Sequence, residues 1–171
     1  MSSEDFQSAL KLGLRAYDVD HPDDHAYHER WLRSELSEIL EKRSNVYCQT
    51  LFKVVSEDAG MVAFGGIVEM PMVDDGFELR MGTVDPAWQR KGIMKALTDF
   101  RIKLVEEHLQ GRHGYILNAA VHPEMYIRDY GFRAVLKKHD STLLVKEMNM
   151  GNTQKTGAKE MRFVKWMEHQ L

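Results

Sequence analysis

A chain of 171 residues with formal net charge −3, 43% hydrophobic and 29% charged residues has the make-up of one ordinary domain that can bury a core without staples. The charge is too small and of the wrong sign for a general phosphate-backbone binder, so no specific nucleic-acid partner is expected. The single cysteine, Cys48, excludes an intrachain disulfide; it lies in an apolar, strand-like run and reads as an inert core thiol.

Met1-Ser2-Ser3-Glu4-Asp5 has no basic region with an apolar stretch behind it, and no run approaches the ~18 apolar residues of a membrane span. The expectation is a cytoplasmic protein without a membrane partner. Phe6, Ala9, Leu10 and Leu14 recur at helical spacing over Ser3 to Leu14. Trp31, Leu32, Leu36, Ile39 and Leu40 do so over Asp23 to Lys42, where Pro22 suits a helix start. Asn45 to Ser56 and Met61 to Met70 are rich in β-formers around the turn Glu57-Asp58-Ala59-Gly60, and predict a hairpin. Gly65-Gly66 within it suggests a bulge or a close backbone approach.

After Asp74-Asp75-Gly76 comes a strand over Phe77 to Val84, then a helix over Gly92 to Gln110 with Ile93, Ala96, Leu97, Phe100, Leu104 and Leu109 on its apolar face. Tyr115 to Val121 reads as a strand and Pro123 to Tyr130 as a short helix stopped by Gly131. Phe132 to Lys138 and Thr142 to Met148 close as a hairpin around His139-Asp140-Ser141. The sum is an α/β (α+β) fold: a mixed, mostly antiparallel sheet flanked by helices, with one parallel strand–helix–strand crossover from Phe77 to Val121. Residues 1–150 form the domain; 151–171 are a polar linker and a tail helix from Lys159, whose apolar face would dock on the domain or on a second subunit of a homodimer.

The junction after Val84 carries the chemistry. A strand ends, Asp85-Pro86 breaks it, and a long helix starts near Gly92. The first amides of a helix lack intrahelical partners and, with the helix dipole, suit a pyrophosphate. Gly92 permits close approach, and Arg90 and Lys91 add positive charge. Neither the P-loop pattern nor Gly-x-Gly-x-x-Gly is present. From these residues alone, a phosphate site and an ordinary basic helix start both remain open.

Gln89-Arg90-Lys91-Gly92-Ile93-Met94 resembles the Gln/Arg-x-x-Gly-x-Gly/Ala turn of the GNAT superfamily of N-acetyltransferases, with Met94 in place of the final small residue. Thr83-Val84-Asp85-Pro86 is similar to that family's strand exit. Tyr126-Ile127-Arg128-Asp129-Tyr130-Gly131-Phe132 resembles its Tyr-x-x-x-Gly-Phe, with the tyrosine one position early and Ile127 in the usual place. The resemblance implies that Gln89, Arg90, Lys91, Gly92, Ile93 and Met94 hold the pyrophosphate of acetyl-CoA. Met81, Gly82, Thr83 and Val84, on a strand splayed by a bulge, would pair with the pantetheine arm, and Asn118 would bond the pantetheine or the acceptor.

The implied activity is direct transfer of an acetyl group to a primary amine of a small molecule, a peptide or a protein. Such transfer needs a base for the amine and an acid for the leaving thiolate. Glu78 matches the position of a catalytic glutamate in some members. Tyr126 is the candidate acid, with Tyr130 behind it, and His122 could serve as either. The alternative is a non-catalytic acyl-CoA-binding module. His21, His25 and His28 have helical spacing, yet nothing fixes a metal geometry, and no metal is expected. The acidic stretch Asp18 to Glu29 would attract a cationic amine or simply be a solvated helix start.

Overall fold

The computed structural model describes residues 3–20, 24–41, 49–70, 73–138 and 141–149. In chain order the elements are α1 (Ser3–Asp20), α2 (His25–Glu41), β1 (Gln49–Ser56), β2 (Gly60–Glu69), β3 (Gly76–Val84), a 3-10 turn (Pro86–Trp88), α3 (Ile93–Leu109), β4 (Gly114–Ala120), α4 (Glu124–Tyr130), β5 (Arg133–Lys138) and β6 (Ser141–Met148). The strands form one sheet in the order β1-β2-β3-β4-β6-β5. β3 and β4 are parallel and joined through α3, whereas β6 pairs antiparallel with both β4 and β5. This is the mixed, mostly antiparallel sheet with one parallel crossover that the sequence predicts. Cys48, His21, the His139-Asp140 turn and the tail helix expected from Lys159 lie outside the described residues.

The chain divides into two compact units, Met1–Ile67 with Met81–Arg101, and Val68–Arg80 with Ile102–Leu171. In the first, Ala9, Leu10 and Leu12 of α1 pack with Leu32 and Leu36 of α2, Phe64 of β2 and Met81 of β3. Leu32 and Leu36 are fully buried, each worth roughly 2 kcal/mol. The two helices meet closely at Gly13, where a Cβ would stand 2.9 Å from Leu32 Cδ1. Phe6 and Leu14 are only partly buried against this core, and Leu12, absent from the predicted face, is inside it.

In the second unit Tyr115 and Leu117 of β4 and Leu143 and Val145 of β6 form one face of a core with Met70. Their spacing of two is the period of a strand. A register shift between Ala134 and Leu136 interrupts the β5–β6 ladder. The turn into β3 is locked by Arg112, whose Nη1 lies 2.7 Å from Asp75 Oδ1, and by Tyr115 N, which donates to Asp75 O at 3.0 Å.

The buried face of α3 corrects the predicted one. Leu97, Thr98, Arg101, Ile102, Val105 and Leu109 are inside, whereas Phe100 is 47% exposed and Ala96 is exposed. Two polar residues, Thr98 and Arg101, occupy the core stripe. Phe100 instead meets Phe52 of β1 edge-on, with centroids 5.1 Å apart.

Candidate functional site

In the first unit, β3 breaks its regular path at Met81, which is buried yet takes φ 55. A left-handed conformation costs a residue with a Cβ roughly 1–2 kcal/mol, so the surrounding packing imposes it. The Thr83 hydroxyl donates to Met81 O at 3.2 Å across the kink. The kink falls at Met81, the first residue of the stretch Met81 to Val84 expected to be splayed.

Past Val84, the Asp85 amide donates to Val62 O at 2.9 Å. Asp85 Oδ1 accepts from Ala87 N at 3.0 Å and caps the 3-10 turn, with Pro86 at its first position. That turn is an element the sequence reading missed; the Asp-Pro pair was its signal. Arg15 of α1 pairs with Asp85 Oδ2. Burial opposes ionisation of Asp85, but the bonds from Arg15 and the Ala87 amide, with the charge of Arg15, hold its carboxyl below the usual carboxylate range.

Arg90 follows at φ 59 and Gly92 at φ 78. A Cβ on Gly92 would meet nothing within 4 Å, so its backbone angle, not crowding, calls for glycine. The first bond of α3 runs from Ala96 N to Gly92 O at 2.9 Å. Amides ahead of such a bond have no intrahelical acceptor and carry the positive end of the helix dipole. Arg90 and Lys91 are exposed beside them, and Lys91 Nζ sits 4.3 Å above the Trp88 ring. The side chain of Met94 folds toward β3: its sulfur lies 3.4 Å from where a Cβ on Gly82 would stand.

The second unit holds the other predicted residues. Glu78 is half-buried in β3, with Arg80 Nε 3.9 Å from its Oε2. In the β3–β4 register Glu78 pairs with Leu117 and Leu79 with Asn118. Successive strand residues face opposite ways, so Glu78 and Asn118 lie on opposite faces of this pair. Asn118 is 5% exposed, and its Nδ2 is buried without a hydrogen-bond partner among the described residues. An orphaned amide donor costs about 1–3 kcal/mol unless a ligand or water satisfies it. It thus fits an acceptor-bearing ligand such as the amide-rich pantetheine arm.

His122, past the end of β4, is exposed. Tyr126 of α4 is 7% exposed, with its ring edge-on to Phe132 at 5.7 Å and tilted against Tyr130 at 6.2 Å. Gly131 ends the helix at φ 69, and Phe132 N donates back to Tyr126 O at 3.1 Å. Ile127, one step round the helix, is 43% exposed. In α2, His28 is buried against Tyr17, and Glu29 pairs with Arg33 at 2.7 Å. Among the described residues no group of three or more His, Cys, Asp or Glu gathers as metal ligands would, and no helix is long and apolar enough to cross a membrane.

No family model and no curated protein sequence matches the chain. Solved structures do. PaiA N-acetyltransferase from Thermoplasma acidophilum, in complex with coenzyme A, is similar at TM-score 0.67 and 16% identity, over 86% of this chain and 96% of that one. An acetyltransferase of the GNAT family from Staphylococcus aureus matches at TM-score 0.61 and 14% identity, over 86% and 95%. The ribosomal-protein alanine N-acetyltransferase of Escherichia coli matches at TM-score 0.60 and 15% identity, over 90% and 94%. At such identities the likeness is one of fold, and the chain has the fold of the GNAT acetyltransferases.

Proposed function

We propose that this protein is an acyl-CoA-dependent N-acyltransferase that moves an acetyl group directly to a primary amine of a small molecule, a peptide or a protein. The observation that carries the reading is the kinked strand and turn before α3. Met81, Arg90 and Gly92 all take positive φ within twelve positions, which aims backbone groups away from regular pairing. That irregularity falls where the motif resemblance asks for it, on a chain with the GNAT fold. The PaiA structure, which holds coenzyme A, supports the choice of donor.

In this reading the amides from Gln89 to Met94 bind the pyrophosphate, with Arg90 and Lys91 adding charge. The backbone of Met81 to Val84 takes the pantetheine arm, and the Asn118 amide is assigned as a donor to the pantetheine or to the acceptor. Glu78 accepts a proton from the acceptor ammonium. The free amine then attacks the thioester carbonyl, the C–N bond forms, the C–S bond breaks, and the attacking nitrogen gives up its second proton to solvent to leave the neutral amide. The departing thiolate takes a proton from Tyr126, or from His122. Proton balance closes when Glu78 and the acid exchange with solvent.

The test has two arms. Calorimetric titration with coenzyme A should show binding to the parent protein. Thiol release from acetyl-CoA across a panel of primary amines should then show turnover that drops by roughly two orders of magnitude in Glu78→Gln, with coenzyme A affinity retained. Binding without turnover by any amine refutes the enzyme and leaves an acyl-CoA-binding module; absence of binding refutes the donor.

A further inference from the structure

Arg101 lies in the middle of α3 and is 1% exposed. Burying a guanidinium is costly, and a leucine or methionine would fill the same space without desolvating a charge. The arrangement around it is specific. Nε donates to Leu97 O at 3.3 Å within the helix, one terminal nitrogen to Gly66 O of β2 at 3.4 Å, and the other to Thr98 Oγ1 at 3.4 Å. The guanidinium also lies against two backbone positions that have no side chain. A Cβ on Gly65 would stand 2.9 Å from Nη1, and one on Gly82 would stand 3.2 Å from Nη2. Neither glycine has positive φ, so the backbone itself would accept alanine at both. What a side chain would meet first at both is Arg101, with Leu97 Cδ2 at 3.2 Å beside it at Gly65 and the Met94 sulfur at 3.4 Å at Gly82.

One side chain therefore touches three elements of the first unit. Gly82 directly follows the kink at Met81, and α3 begins about two turns ahead of Arg101 with the turn that carries Gly92. We infer that Arg101 is a positioning residue for acyl-CoA binding, holding the kinked end of β3 at a fixed distance from α3 and its leading turn. The Gly65-Gly66 pair and Gly82 are part of the same device. The inference rests on the function proposed above, because it needs one ligand to span the turn and the strand.

That geometry sets the experiment. Coenzyme A spans both parts, whereas its nucleotide half without the pantetheine arm reaches only the turn. Binding of each would be measured by calorimetry in the parent, Arg101→Met, Arg101→Lys and Gly65→Ala. Gly65→Ala keeps the arginine but displaces it, and it covers the case in which Arg101→Met does not fold. The expected result is a loss of roughly tenfold or more for coenzyme A in Arg101→Met and Gly65→Ala, with partial recovery in Arg101→Lys and little change for the nucleotide half. The Gly65→Ala loss should be smaller in the Arg101→Met background, where the guanidinium is gone and only Leu97 Cδ2, 3.2 Å from the added Cβ, must give way. Equal weakening of both ligands, or unchanged coenzyme A affinity in Arg101→Met and Gly65→Ala, overturns the inference. A parent that binds neither ligand instead overturns the donor assignment, and the inference with it.

Discussion

Asn118→Leu is expected to stabilise the free protein while weakening its ligand binding. The side chain is 5% exposed and its Nδ2 has no partner among the described residues. Leucine has nearly the same shape, so the change removes an unsatisfied donor without opening a cavity. The gain is the desolvation cost of that donor, about 1–3 kcal/mol. For a chain of this length each kcal/mol moves Tm by roughly 2–4 °C, so a rise of about 2–10 °C is expected in ligand-free protein. Thermal and urea unfolding would measure it, with the m-value checked for constancy. Coenzyme A should raise Tm less in the variant than in the parent, because the ligand no longer gains a bond there. A variant less stable than the parent would refute the reasoning, since it would mean that the amide already has a partner in the free protein.

Other outcomes follow from single contacts. Gly131→Ala should cost about 1–2 kcal/mol in urea unfolding, because its φ of 69 penalises a Cβ even though nothing crowds it. Gly114→Ala should cost about 1–3 kcal/mol by overpacking, since its Cβ would meet Asp75 O at 2.6 Å and Leu109 at 2.8 Å. Asp85 has a folded-state carboxyl held below its ordinary value of 3.8. Its stabilisation is therefore fully present above that value and is lost as pH falls through the lower folded one. Unfolding of parent and Asp85→Asn compared from pH 7 down into that range should show the two curves converging. Tyr126→Phe keeps the ring contacts with Phe132 and Tyr130, so stability should change little while kcat falls by about two orders of magnitude if the hydroxyl carries the proton. Unchanged kcat would move the acid to His122, checked by His122→Asn.

The order of elements was legible because each carries its own local signal. Runs of β-formers around a turn marked β1 and β2, spacing of three and four marked α1 and α2, and Gly131 marked the end of α4. Expected and observed ends differ by only a few residues, apart from α1, which runs on to Asp20. Tertiary contact was harder to read. The apolar residues of α3 point to one face, but the sheet covers another stripe, in which Thr98 and Arg101 sit at 0% and 1% exposure. A polar residue inside looks in sequence like one facing water. The available signal was positional: Arg101 stands four residues from both Leu97 and Val105, which are buried, and the paired glycines of β2 left space for something large.

The same reasoning separates the proposed cofactor turn from the proposed acid. A turn is specified by local backbone demands, so Gly92 and the Asp-Pro pair show it within a few residues of sequence. A general acid is specified by where a hydroxyl points, and on a helix one residue is about 100° of rotation. Tyr126 and Ile127 make the difference concrete: the first turns inward onto Phe132, the second outward into solvent. A tyrosine displaced by one position is thus not a near copy of the family's pattern but a side chain on a different face. If Tyr126 does supply the proton, it does so from a ring packed against Phe132 and Tyr130. The turn's residues are therefore the firmer basis for a coenzyme A assignment, and the acid is decided by the hydroxyl-deletion kinetics, not by motif position.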